Sequence, residues 1–354
     1  MQRKSPALAL LLSLAATSPA FADPVADFYK GKQMQFIIRT GVGGGYDQYS
    51  RLLARHIGAH IPGNPTVLPL NMPGGGGIVA ANYVAKIAPE DGTILTMVSQ
   101  GLPVDQALGL NKTLQADLRK FNWIGNMSDS NQVLVTWHSS ATRTLDDARR
   151  RETIIGATGA GSISTQLPAL YNNILGLKLR IVFGYPDDGV DLAMERGEVE
   201  GRGTNTWASY KSNTPQYVTQ KLIIPILQVG MRKDPELPDV PLLRDEAGNL
   251  QDQAVLDFMS KAVSVGRPVA TTPGVPADRI AALRKAFDET LRDPDFIRDA
   301  QSERADISAM SGADLAQIVD DIVGAPQDLR DRVKAAIEPK DAQEVKGEKK
   351  GGGD

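Results

Sequence analysis

Twice within the first ninety residues a short apolar run ends in glycines and gives way to a helical pattern. Met34 to Arg39 (MQFIIR) is apolar and β-branched and stops at Thr40 and a glycine cluster, as a buried parallel strand does when it enters a loop. From Asp47 onward, Tyr49, Leu52, Leu53, Ile57 and Ile61 share one face of an amphipathic helix; Gly58 weakens it and Pro62 ends it. Thr66 to Leu70 is the second strand candidate, followed by Pro73-Gly74-Gly75-Gly76-Gly77 and a helical pattern in Ile78, Ala81, Tyr83, Val84 and Ile87. Asp91-Gly92 turns the chain into Thr93 to Val98, a third strand ending in Ser99-Gln100-Gly101. Strands separated by helices argue a parallel α/β sheet. About 115 residues after the first unit the pattern returns as Thr153 to Gly156, the loop Ala157 to Ser162, and a helical run through Leu167, Leu170, Tyr171, Ile174 and Leu175. That spacing is a domain rather than a solenoid repeat, and it predicts two α/β lobes. The last part reads as helices led by Pro276, by Pro294 and by the run Leu315, Ile318, Val319 and Ile322.

Charge and termini narrow the function classes. Lys+Arg 39 against Asp+Glu 42 gives -3, leaving no basic excess to hold a phosphate backbone, so nucleic acid is not an expected partner. Cys 0 excludes disulfides, thiolate metal sites and cysteine nucleophiles. Arg3 and Lys4, the apolar run Ala7 to Ala16 and the small residues of Ala20-Phe21-Ala22 read as a signal peptide over 1–22, cleaved after Ala22, too short in its apolar part for a retained anchor. A soluble, periplasmic mature protein follows. Residues 340–354 are Lys, Glu and Gly with almost nothing apolar and read as a disordered tail.

A glycine loop opening a helix exposes unsatisfied N–H groups at the positive end of the helix dipole and lets backbone approach a ligand, which suits an anion. Gly41-Val42-Gly43-Gly44-Gly45-Tyr46-Asp47 lacks the Gly-Lys-Ser/Thr of a phosphate loop, and Tyr46 stands where the dinucleotide fingerprint needs glycine. A carboxylate is the more plausible anion. Arg202, between Gly201 and Gly203, is placed either to fork onto such a carboxylate or to lie solvated at a strand end. Asp47 reads equally as an acceptor for a ligand donor or as an ordinary helix-start residue. Tyr46, Tyr185 and Trp207 are candidates for a pocket wall or for core. His56 and His60 have zinc-compatible spacing but no visible third ligand, so no metal is expected. Gly-x-Ser-x-Gly is absent and no Ser has a His partner by pattern, so catalysis has no motif to stand on.

Gly43-Gly44-Gly45 with Asp47, Asn71-Met72-Pro73-Gly74-Gly75-Gly76-Gly77, Ala88-Pro89-Glu90-Asp91-Gly92-Thr93 and Leu237-Pro238-Asp239-Val240-Pro241 occur in an order that resembles the substrate-binding proteins of tripartite tricarboxylate transporters, the Bug family. The likeness runs from roughly Phe28 to Ile337, with Pro273-Gly274-Val275-Pro276 and Leu291-Arg292-Asp293-Pro294 also matching. It implies a two-lobed type II periplasmic binding fold, each lobe a mostly parallel sheet flanked by helices, closing on an organic carboxylate and delivering it to membrane permease subunits. It implies no enzymatic activity, no cofactor and a monomer. Lobe I would be 23–125 plus 262–339 and lobe II 126–261, hinged near 120–130 and 255–266. The resemblance places ligand contacts at Gly43, Gly44, Gly45, Tyr46 and Asp47, at Gly75, Gly76, Gly77 and Ile78, and at Ser99 and Gln100. From lobe II it would bring Gly161, Ser162, Ser164, Thr165, Tyr185, Arg202 and Asn205. The chain departs from the family in having Thr165-Gln166 where a His is common, and in having an arginine at 202. Two other readings use the same cleft: a receptor that presents its ligand to a membrane sensor, and an extracytoplasmic hydrolase.

Overall fold

A computed structural model describes residues 23–43, 45–159, 162–185, 189–340 and 342–344. The signal peptide reading therefore lies outside the described residues, as do Gly44 and Gly161. Two sheets of six strands form the frame. In chain order the strands are β1 (Gln33–Ile38), β2 (Thr66–Asn71), β3 (Ile94–Met97), β4 (Asn122–Asn126), β5 (Gln132–Trp137), β6 (Thr153–Ala157), β7 (Leu179–Phe183), β8 (Gly201–Thr206), β9 (Ile223–Val229), β10 (Pro268–Thr271), β11 (Met310–Ser311) and β12 (Gln343–Glu344).

The first sheet has the order β11-β4-β10-β3-β1-β2 and the second β12-β7-β6-β8-β5-β9. β1 pairs parallel with β2 and β3, as β6 does with β7 and β8. An antiparallel strand then follows in each sheet, β10 in the first and β5 in the second. Laid side by side, the series 2-1-3-10-4 and 7-6-8-5-9 are the same topology written twice. In each sheet the antiparallel strand is the one that begins just after the chain has arrived from the other sheet. The fold class is thus the expected two-lobed α/β arrangement.

Buried residues follow the helical face read from the sequence. The helix Gly45–Ile57 buries Tyr46, Tyr49, Leu52, Leu53 and Ile57 against the first sheet, where Phe36, Ile38, Leu95 and Met97 meet it. On the other side of that sheet, Ile37 and Ile94 join a cluster that runs on through the helices Leu250–Ser264, Gly312–Val323 and Gln327–Ala336 into the second lobe at Ile155, Leu167 and Leu227. Ala277–Thr290, Pro294–Ser302 and Gly312–Val323 are the three helices expected from the C-terminal pattern. His56 and His60 each meet a carboxylate, Asp299 at 2.9 Å and Asp293 at 2.8 Å.

The chain passes between the two sheets three times. Residues 127–131 lead from β4 to β5, and residues 230–267, with the helix Leu250–Ser264, lead back from β9 to β10. These passages run side by side: the Arg267 amide donates to Ser128 O at 3.0 Å and to Asn126 Oδ1 at 2.8 Å. Past the helix Gln327–Ala336 the chain crosses again, and Gln343 and Glu344 pair with Val182 and Phe183 of β7. Most of the expected tail lies outside the described residues; within it, Ala342 packs against Ala169 and Ile181, and backbone pairing on an open sheet edge needs no apolar side chains.

At Gly125, in the middle of β4, a methyl group would overlap the ring of Phe287, whereas Gly159 faces open space. Gly125→Ala is expected to lower stability by about 1 to 3 kcal/mol, and Gly159→Ala by less than about 0.5 kcal/mol, in thermal or urea denaturation.

Candidate functional site

A cavity of about 700 Å³ lies between the two sheets, and the lining residues come from the places where strands end. The first lobe supplies Arg39 and Thr40 after β1, Gly45 and Tyr46 at the helix that follows, Gln100 after β3 and Arg267 before β10. Opposite them stand Thr158 and Ser164 around the β6 loop, Arg202, Thr204 and Asn205 of β8, and Asp191 and Glu195 of the helix Gly189–Glu195. Crevices at the carboxyl ends of parallel strands are the usual ligand positions of open α/β sheets.

Tyr46 organises the first wall. Its ring carries two guanidinium groups, with the Arg39 Cζ 3.6 Å and the Arg267 Cζ 4.4 Å from its centroid. Its hydroxyl donates to Gly266 O at 3.3 Å and accepts from the Gln100 amide at 3.1 Å. Burial alone would raise the Tyr46 pKa, but the guanidinium charges of Arg39 and Arg267 and the Gln100 hydrogen bond outweigh it, and the net direction is down. Among the described residues neither Arg39 nor Arg267 meets a carboxylate. Among the described residues, Arg39 Nε, Arg267 Nε, Thr40 Oγ1 and Gln100 Oε1 are buried atoms without a hydrogen-bond partner. Unanswered donors on two cations beside a cavity are what an anion satisfies.

The glycine loops prepare this wall more than they line it. Gly76 O accepts from Arg39 Nη1 at 3.1 Å, and a side chain at Gly77 (φ 107) would meet the Arg39 Cδ at 2.9 Å. Gly75, Gly76, Gly77 and Ile78 are not lining residues; their loop lets the Arg39 stem through and fixes its end. Asp47 is also set back. Its carboxylate accepts from Arg51 Nε at 2.9 Å, Asn71 Nδ2 at 2.8 Å and the Gly43 amide at 3.0 Å, so it braces the first loop against β2. Although burial pushes the other way, those hydrogen bonds lower the Asp47 pKa.

The remaining expected residues divide in the same way. Gly45, Tyr46, Gln100, Ser164, Arg202 and Asn205 line the cavity; Gly43, Ser99, Ser162, Thr165 and Tyr185 do not. Ser162 Oγ and Thr165 Oγ1 each donate to Gly159 O, which shapes the β6 loop, and Tyr185 reaches Glu198 at 3.5 Å. Trp207 packs with the second lobe's core and donates to Glu236. Arg202 is not solvated: its side chain is buried at the cavity and paired with Asp191 at 3.0 Å. Arg39, Arg267, Asp191 and Glu195 were not among the expected contacts. Arg39 read as the end of a strand, and nothing local marks Arg267, which reaches the site only because β10 returns between β3 and β4. Among the described residues no cluster of three His, Asp or Glu side chains could hold a metal.

No family model matches the sequence, and no curated protein matches it. Solved structures do resemble the fold. A TctC solute binding protein from Polaromonas aligns with TM-score 0.66 and 16% identity over 86% of this chain and 99% of that one. The R. palustris protein Rpa4515, solved with adipate, gives 0.62 and 18% over 86% and 97%. MatC from Rhodopseudomonas palustris, solved with malate, gives 0.60 and 20% over 84% and 99%.

Asp47 yields a pH test. A depressed folded-state pKa stabilises the protein above the unfolded value near 3.8, and this contribution is lost as the pH falls through the folded value. The stability gap between wild type and Asp47→Asn, followed by urea denaturation, is therefore expected to be full at pH 7 and to shrink below pH 3.8. The chain has the two-lobed fold of periplasmic solute-binding proteins, with a cationic wall on one side of its interlobe cavity.

Proposed function

We propose that the protein is a member of the tripartite tricarboxylate solute-receptor family, exported to the periplasm, that captures a small organic carboxylate between its lobes and delivers it to membrane permease subunits. The observation that carries this reading is the pair of guanidiniums, Arg39 and Arg267, held on Tyr46 at a cavity and lacking a carboxylate partner among the described residues. The fold and the adipate and malate in two structural neighbours support it. Among the described residues no helix is long and apolar enough to cross a membrane.

Capture needs no bond to be made or broken. An anion entering between Arg39 and Arg267 gives those donors their missing acceptor, while the Thr40 hydroxyl, on the same wall, donates to one of its oxygens. Asn205 and Ser164 face it from the second lobe, so a ligand touching both walls favours the closed arrangement by its differential contacts. The adjacent passages at 127–131 and 265–267 are where such a motion bends.

Calorimetric titration with a panel of organic carboxylates tests the reading. Arg39→Ala and Arg267→Ala are each expected to weaken the carboxylate that binds best by about 1.5 to 3 kcal/mol. Undiminished affinity in both variants would remove the guanidiniums from the site, and turnover of the ligand seen by mass spectrometry would favour an enzyme.

A further inference from the structure

The cavity has a second end, and its chemistry differs from the first. On the helix Gly189–Glu195, Asp191 is bound to Arg202 at 3.0 Å, so that carboxylate and that guanidinium largely cancel. Glu195 has no such counterpart: its carboxylate accepts from the Tyr217 hydroxyl, and among the described residues no cation pairs with it. Burial and the hydrogen bond to Glu195 both push the Tyr217 pKa up, so the phenol stays a donor to the Glu195 carboxylate at the cavity. Around it stand amide and hydroxyl side chains, among them Asn205, Thr214 and Gln216, whereas Ile163 and Leu192 are the aliphatic side chains among the described lining residues.

An α,ω-dicarboxylate lying across this space would satisfy Arg39 and Arg267 with one end and bring its other carboxylate to the wall that Glu195 makes negative. Two like charges meeting at a partly enclosed surface repel, and neither has a donor to give the other. A far end that donates hydrogen bonds meets the opposite situation, because the Glu195 carboxylate and the amide oxygens accept.

Resting on the carboxylate reading above, we infer that the ligand is a monocarboxylate whose opposite end donates hydrogen bonds, through hydroxyls or an ammonium group, and that Glu195 selects it against dicarboxylates.

Three six-carbon acids of similar length separate the cases by calorimetry on the wild type and on Glu195→Gln, which keeps an acceptor for Tyr217: adipate, 6-aminohexanoate and gluconate. In the wild type, 6-aminohexanoate or gluconate is expected to bind at least about tenfold more tightly than adipate. Which of the two is preferred distinguishes an ammonium from a hydroxyl-bearing end. Glu195→Gln is expected to narrow the ratio by improving adipate. Adipate binding the wild type as tightly as the other two, or a ratio unchanged in Glu195→Gln, overturns the inference while leaving carboxylate capture standing. If none of the three binds the wild type and no other organic carboxylate does, the capture reading falls and takes this inference with it.

Discussion

The stack of Arg39 and Arg267 on Tyr46 joins pieces of chain that are far apart in sequence. Tyr46 opens the helix after β1, Gln100 follows β3, and Gly266 and Arg267 close the long return from the second lobe. One aromatic ring holds all of them: its face meets two cations, and its hydroxyl bonds one backbone amide and one backbone carbonyl. Two guanidiniums near one another repel, and placing them against the electron-rich face of a ring is a way to keep both without a carboxylate that would compete with a ligand. The positive wall therefore exists before any anion arrives, and a preformed site loses less freedom on binding than one that must be assembled.

Around this stack the glycines act mainly as clearances. Gly77 leaves room for the Arg39 side chain, and Gly45, which faces Arg267, is one of the glycines that reach the cavity. Asp47 and Asn71 then lock the first loop to β2, with Asn71 also bonded to Thr40 O. Beside the backbone amides foreseen as anion donors, the loops position side chains whose donors stand at the cavity.

What could be read from the sequence was local. β1, β3 and β6 announced themselves as apolar runs ending in glycine or polar loops, because buried parallel strands need continuous apolar residues, and β2, though an edge strand with Leu68 and Leu70 exposed, was marked by the glycines that follow it. The helix Gly45–Ile57 was legible from the spacing of Tyr49, Leu52, Leu53 and Ile57. β8 was harder to see, since GRGTNT carries polar residues that face the cavity. β10 is four residues long, and its place between β3 and β4 depends on a passage through the other lobe that no local pattern reveals. The site divides along the same line. Tyr46, Gln100 and Arg202 sit beside recognisable loops or glycines, whereas Arg267 and Glu195 owe their roles to which elements the topology brings opposite one another. Arg202 shows the limit of reading a charge by itself: its partner Asp191 is eleven residues earlier and on a different element.

The mixed lining has a calorimetric consequence. Water in such a cavity hydrogen-bonds to hydroxyls, amides and charged groups, and it also lies against the rings of Tyr46 and Tyr217 and the side chains of Ile163 and Leu192. A ligand displacing that water exchanges one set of hydrogen bonds for another and buries apolar surface at the same time. Binding then carries a hydrogen-bond enthalpy together with the negative heat capacity change that marks apolar burial, so its enthalpy shifts with temperature.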